Sequence, residues 1–449
     1  MSTLVIPLES CFRTILNRFG SYWDNLPPRR ENESMMMDYM KQKLLDGPTV
    51  LRNSNWTGSL ACLCVRFALE LNMDKTACDV TFAQVERHMR LCIATTAELE
   101  GMITLPGSEP LLAEAAFQLM NDTQTNAVHH LAQHLDMNCI HRGRHGELAA
   151  ALLIMQAFDA ARVVGGRRWV SVVDFMEALL PTSEYDTLLQ SGPTFCRTED
   201  DNKLTFEAIF KDCGMWFNHI IKIEAKEMIS IDHLWKFVTR GAMILCATDQ
   251  ELEGIDIILP VCYTTQNLGP DSVTAIIIHV TNGMDFKTEL NESLYYAMDL
   301  AVTSTIFSML PDSDLTTENA SALVEPKKKK RKTSPISNNV TPKPVIRMVF
   351  ALASPEPAIV FRGRASAEHH LDGFTAFDIW LAGLSDQTFK QIQDADLEPY
   401  EKLLEHSPLP RDTFELQDDR DLGDKARNLR RARKQRMAPL TVPGADHYA

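Results

Sequence analysis

The sequence predicts an α/β protein in which a mixed central β-sheet, arranged as a meander, is flanked by helices and preceded by a helical N-terminal region. Three observations carry this expectation. Helical apolar periodicity dominates to about residue 180, three short β-branched runs follow Gly241, and strand character returns over residues 345–361 after a polar interruption.

Taken in order, residues 1–100 form the helical N-terminal region. Within it Met35 to Leu45 reads as a short amphipathic helix, and Leu60 to Leu71 (LACLCVRFALEL) as a buried one after the polar turn residues Asn53 to Ser59. Helical periodicity continues over 82–100 and 109–137. The second stretch opens on Ser108-Glu109-Pro110, with serine placed to cap and proline in the first turn. Gly146 to Arg162 forms a long apolar helix with Leu148, Leu152, Met155 and Phe158 on one stripe, and Val170 to Leu180 extends the helical pattern. The runs Ala242–Ala247, Ile255–Tyr263 and Val273–Val280 are nearly all apolar, as strands covered on both faces must be. The first two lie close enough to pair as a hairpin. Leu290 to Phe307 reads as helix and Ser334 to Pro344 as polar loop. Val345–Ala353 and Ala358–Phe361 then resume the same sheet. A core over 101–400 is thus interrupted by a basic loop at about 311–344, and 401–449 is a largely disordered basic tail.

Composition narrows the functional classes. Hydrophobic content of 45% and charged content of 23% in 449 residues describe a globular protein with a substantial core. No uninterrupted apolar run reaches the roughly 18 residues that span a bilayer, so no membrane partner is expected. The opening MSTLVIPLESCFRTIL lacks the basic and apolar regions of a secretory signal. Ten cysteines are scattered without a CxxC pair, and Cys62 and Cys64 sit too close on a helix for a relaxed bridge. Reduced thiols in cytosol or nucleus are expected. No GxxxxGK[ST], GxGxxG or GxSxG pattern occurs, which argues against nucleotide hydrolases and the common serine hydrolases.

Charge is unevenly distributed. Residues 1–325 hold 24 Lys/Arg against 43 Asp/Glu, and residues 326–449 hold 21 against 17. An acidic body does not coat nucleic acid along its whole surface, so any such contact is local. The run Pro326-Lys327-Lys328-Lys329-Lys330-Arg331-Lys332 must be solvated, because adjacent cations repel one another in a packed interior. Its form after a proline is what a nuclear import receptor reads, so the expected location is the nucleus. In the tail, Arg427, Arg430, Arg431, Arg433, Lys434 and Arg436 could neutralise phosphates of DNA or RNA, complete the import signal, or form a solvated end with no partner. No aromatic residue interleaves them, so base stacking is not expected.

One constellation could carry chemistry. Glu147 opens the long helix after the basic turn Arg142-Gly143-Arg144-His145-Gly146, Asp256 opens the second strand, and His279-Val280-Thr281 closes the third. Alternate strand residues share a face, so His279 and Thr281 project together, with Asp256 about 5 Å to the side. Each residue also has a plainer reading. Glu147 is a favourable partner for a helix dipole, Asp256 ends a hairpin, and Thr281-Asn282-Gly283 is an ordinary strand exit.

A glutamate on a leading helix, an aspartate on one strand and an x-Val-x triplet on the next resemble the PD-(D/E)XK nuclease superfamily. The resemblance implies a restriction-endonuclease-like fold and catalytic positions at Glu147, Asp256, His279 and Thr281. It also implies a divalent metal, Mg²⁺ or Mn²⁺, at Glu147, Asp256 and His279. Carboxylate oxygens suit such ions, and the metal would stabilise charge at a scissile phosphate. The third place of the triplet, where the superfamily has a lysine that handles the attacking water, is Thr281; Lys287 lies beyond the strand. Ser108 to Ala116, the turn ending at Leu148, Arg240-Gly241-Ala242 and Ile255 to Pro260 further resemble a large family of mushroom-forming fungi over roughly residues 100–385. That family brings no settled activity. Without the lysine, the expected function is a nuclear nuclease-like scaffold, weakly active or inactive, serving as a nucleic-acid or protein interaction module. The alternatives are an active metal-dependent endonuclease and a structural adaptor with no phosphate site. A histidine cluster, His129, His130, His134, His141 and His145 with Cys139, lacks the glutamate of a metalloprotease helix and reads as surface histidines.

Overall fold

The computed structural model describes residues 29–405 apart from 53–54, 73–74, 96–101, 124, 141–145, 167, 199, 224–228, 247–253, 265–267, 282–292, 296–297, 299–342 and 364–373. Helices α1 (Arg29–Leu45), α2 (Trp56–Phe67) and α3 (Lys75–Arg87) lead into an antiparallel hairpin of β1 (Leu91–Thr95) and β2 (Met102–Leu105). Next come α4 (Pro110–Asp122), α5 (Ala127–Asp136), α6 (Glu147–Gly165), β3 (Val170–Ser171), α7 (Val172–Leu179), α8 (Thr182–Gln190) and the short α9 (Phe206–Phe210). The second half holds β4 (Cys213–Met215), β5 (His219–Ile223), α10 (Ile231–Arg240), β6 (Ala242–Cys246), β7 (Ile257–Tyr263) and β8 (Val273–Thr281). It closes with β9 (Val345–Ala351), β10 (Ala358–Phe361), β11 (Ala376–Ala382) and α11 (Leu397–Leu404).

Nine of these strands form one mixed sheet. Strands β6, β7 and β8 pair antiparallel in sequence order, which is the expected meander. Strand β9 then lies parallel to β8, β11 parallel to β9, and β10 antiparallel to β11. The two strands on either side of the basic loop are therefore neighbours in one sheet. At β7 the sheet forks: Ile257 and Ile258 pair with β6, whereas Cys262 and Tyr263 pair with β4. Strand β5 is parallel to β6, and α10 makes the crossover between them.

Alternation along the strands divides the core into two layers. On β8, Ile276, Ile278 and Val280 face one hydrophobic cluster, and Val273, Ala275 and Ile277 face the other. The first layer also takes in α2, α4, α6 and α7, together with Tyr400 and Leu403 of α11. The second contains Leu234, Phe237 and Val238 of α10. Burial on both faces explains the nearly continuous apolar runs of β7, β8, β9 and β11. The mixed α/β class, the flanking helices and the helical N-terminal region are as the sequence predicts.

Several element expectations are corrected. The buried helix stops at Phe67, because Ala68 turns into the left-handed region at φ 49°. The periodicity over 82–100 spans two structures: α3 ends at Arg87, Met89 adopts φ 59°, and β1 begins at Leu91. The stretch 109–137 is two helices. Thr123 Oγ1 donates to the Leu119 carbonyl at 2.8 Å, and Asn126 caps α5 through Val128 N–H. Glu109, not Ser108, is the N-cap residue of α4, with Pro110 first in the helix. The segment Leu290–Phe307 lies mostly outside the described residues.

By length and composition α6 could cross a membrane, and 61% of its apolar window is buried within the fold. That is core packing against α7 and the sheet. Gly241, the C-cap of α10, has φ +64°, and a Cβ there would lie 2.3 Å from the Trp216 ring. Only glycine fits both demands.

Candidate functional site

Extending the β7–β8 register one residue beyond Ile257–Ile278 sets Asp256 opposite His279. The structure brings these two together. His279 Nδ1 lies 2.8 Å from Asp256 Oδ2, an ion-pair distance without the alignment of a hydrogen bond. The same carboxylate oxygen accepts the Val280 N–H at 2.7 Å. The Asp256 side chain is 7% exposed and that of His279 19%, so the pair opens to solvent mainly through the imidazole. Thr281, on the same strand face as His279, is buried, and its carbonyl accepts Leu352 N–H at 3.2 Å. Its side chain is a neutral hydroxyl, where the resemblance implies a lysine.

Glu147 is the first residue of α6, behind Gly146 in the left-handed region at φ 79°, and it too is buried. Its link to the pair runs through Cys246, which the sequence reading did not single out. Cys246 ends β6, donates its backbone N–H to the Asp256 carbonyl at 2.8 Å and is fully buried. Burial, then the charge of Asp256, then that of Glu147, push its thiol pKa far above the ordinary range. Both acids therefore lie close enough to act on one side chain.

They do not build a metal centre. Among the described residues, no group of three His, Cys, Asp or Glu side chains is placed to hold a metal ion. One oxygen of Asp256, Oδ2, is taken up by His279 and by a backbone N–H. Glu147, Asp256 and His279 as arranged do not fit the metal that the resemblance implies. The import run Lys327, Lys328, Lys329, Lys330, Arg331 and Lys332 lies outside the described residues. So do the tail cations Arg427, Arg430, Arg431, Arg433, Lys434 and Arg436, as well as Lys287.

A family model described as "Domain of unknown function (DUF8736)" matches residues 52–323, more than half of the 449-residue chain. The chain belongs to this family. The DUF8736 match runs from just before α2 to beyond β8 and takes in Glu147, Asp256, His279 and Thr281; β9, β10 and β11 follow it. No curated protein and no solved structure matches the chain.

Beside the DUF8736 candidate pair, the same sheet face carries a charged cluster that sequence reasoning missed. Arg347 of β9 and Asp378 of β11 are register partners, joined by Nε–Oδ1 and Nη2–Oδ2 contacts of 2.7 and 2.8 Å, and both side chains are 0% exposed. Arg362 Nη1 reaches the same carboxylate at 3.3 Å. The available signal was one charge inside each of two otherwise apolar strands, VIRMVFA and AFDIWLA.

The histidine reading also needs correction. His129 is exposed and pairs with Asp396 at 3.0 Å, but His134 is fully buried, with both ring nitrogens unbonded. It faces inward because α5 packs through Leu131, His134 and Leu135. His141 and His145 lie outside the described residues. Cys62 and Cys64 are buried in α2, and burial pushes the Cys62 thiol up to about 12, which makes it inert.

Proposed function

We propose that this DUF8736 protein acts in the nucleus as a degenerate PD-(D/E)XK-like module whose cleavage chemistry is weak or lost. Its role is to engage nucleic acid or protein partners. The observation that carries this reading is the contact of Asp256 with His279 beside Thr281. One oxygen of an acid that a nuclease would turn towards a metal instead contacts an imidazole and accepts a backbone N–H, and the triplet ends on threonine where the superfamily has lysine. Loss of a general base or charge stabiliser removes roughly 10²–10⁴-fold in rate. The antiparallel run β6–β7–β8, with the acid at the start of its middle strand, supports the nuclease kinship. The run Pro326 to Lys332 supports nuclear residence through an import receptor.

Plasmid DNA incubated with the protein and Mg²⁺ or Mn²⁺ tests the chemistry. Equal background nicking by wild type and Asp256→Ala is expected; nicking lost only in the variant would establish an active nuclease instead. A fluorescent fusion should accumulate in nuclei and redistribute when Lys327 to Lys332 are neutralised. For the tail, deleting 425–436 should weaken DNA binding and flatten its salt dependence by about 0.9 per lost phosphate contact. Identical titrations would reject that role.

A further inference from the structure

At the far end of β5 and β6 from Cys246, a second polar constellation reaches the surface. Ser108, in the connection between β2 and α4, is partly exposed. Its Oγ lies 3.0 Å from Nε2 of His219, the fully buried first residue of β5. His219 Nδ1 lies 2.8 Å from Asn218 Oδ1. Asn218 Nδ2 in turn donates to Glu114 Oε2 and to the Pro110 carbonyl, each at 3.2 Å. Arg240, the last residue of α10, donates from Nη2 to Ser108 Oγ at 3.3 Å and also to the Ser108 carbonyl.

One direction satisfies all of these bonds. The Asn218 amide nitrogen is spent on two acceptors, so its oxygen faces the ring, and Nδ1 must carry the imidazole proton. Nε2 is then bare, and the Ser108 hydroxyl donates to it. At the buried end Glu114 remains a carboxylate: burial opposes ionisation, but Arg162, Arg168 and Asn218 outweigh it and hold its pKa below the ordinary value. Hydroxyl, bare imidazole nitrogen, amide and carboxylate thus stand in one relay, with a cation beside the hydroxyl oxygen. Such a constellation is recognised by geometry and roles, not by chain order. The missing GxSxG pattern excludes a serine on a strand-to-helix elbow, not one on a loop.

We propose that Ser108 is a nucleophilic serine that reacts with carboxylic esters, with His219 as its general base. Asn218 and Glu114 are positioning residues, and Arg240 steadies negative charge on the ester oxygen. Ser108 Oγ bonds to the carbonyl carbon as its proton passes to His219 Nε2. The carbon–oxygen bond to the alkoxide breaks, and that oxygen takes the proton from Nε2. Water, deprotonated by the same nitrogen, then releases the carboxylic acid and restores the serine. Burial and the nearby Arg240 cation push the His219 pKa down to about 3. The ring therefore stays unprotonated far below neutral pH, and its weak basicity keeps the reaction slow.

Full-length protein treated with a fluorophosphonate tests this, because fluoride leaves as Ser108 Oγ bonds to phosphorus. The expected result is a phosphonylated Ser108 by peptide mass mapping, at a rate flat between pH 5 and 8. Ser108→Ala should lose the adduct while keeping its circular dichroism. His219→Gln should form it at least roughly 100-fold more slowly. If His219→Gln does not fold, surface Arg240→Gln should slow labelling about tenfold with an unchanged melting temperature. The proposal is overturned if folded protein carries no adduct at Ser108, labels it no faster than other exposed serines, or loses labelling below pH 6.5 as an ordinary histidine would dictate.

Discussion

His134 shows how a single residue can be read correctly by type and wrongly by place. The i, i+4 spacing with His130 is real, yet the ring is buried beside Trp56, 6.0 Å between centroids, with neither nitrogen bonded. Burial first, and His130 second, lower its pKa to about 4. Between about pH 6.5 and 4 the unfolded chain binds this proton and the folded one does not, so the contribution is whole above pH 6.5 and drains away towards pH 4. His134→Phe should therefore lose less melting temperature than wild type between pH 7 and 5; equal losses would show that the site does not titrate as argued. At Asp378 the expected effect is larger. Replacing it with alanine strands Arg347 in the interior and should cost roughly 3–5 kcal/mol in urea unfolding. Removing exposed Asp200 from its pair with Lys203 should change stability by less than about 0.5 kcal/mol. The Asp256–His279 meeting was legible because strand alternation and a hairpin dictate which side chains face one another. Cys246 was not, since nothing in its own run marks it.

Elements were most readable where periodicity was long and least where neighbours set the conformation. Strand β5 is five residues with an exposed Lys222 in its fourth place, and only pairing with β6 makes HIIKI a strand. Helix α10 has clear signals in hindsight: Ser230 accepts from His233 N–H, and Gly241 closes the C-terminus. Gly241→Ala combines a left-handed backbone with a collision against Trp216, so it should destabilise by more than about 2 kcal/mol. Chemical denaturation with a shift smaller than 1 kcal/mol would show that Trp216 moves freely aside. Asn126 caps α5 and also donates to Asp396 Oδ1 at 2.8 Å, tying that helix to the C-terminal segment. Asn126→Ala should cost about 1–2 kcal/mol by the same measurement.

Across the whole molecule the N-terminal helices are structural members of the sheet's core. Every residue of α2 from Gly58 to Phe67 is buried, and Arg66 grips Asp159 of α6 at 2.7 and 2.9 Å while its Nε donates to the Asn218 carbonyl. Leu60, Leu63, Val65 and Phe67 share one hydrophobic cluster with Ile276 of β8 and Phe350 of β9. At roughly 1.5–3 kcal/mol for each buried side chain, removing them exceeds the margin by which most domains stay folded. A fragment spanning 101–400 should therefore lack a cooperative thermal transition, whereas the full chain has one. A sharply melting fragment would show that residues below 101 are dispensable.

By itself the amino-acid order determined the α/β class, the meander of three apolar runs and the return of strands after the basic loop. Each follows from local periodicity and from the need to hide β-branched side chains on both faces. Only tertiary structure decided that β7 forks the sheet, that Arg347 meets Asp378, and that Ser108 turns from helix cap to partner of His219. These depend on residues distant in the chain, whose pairing is set by how whole layers pack and by the need to satisfy every buried charge.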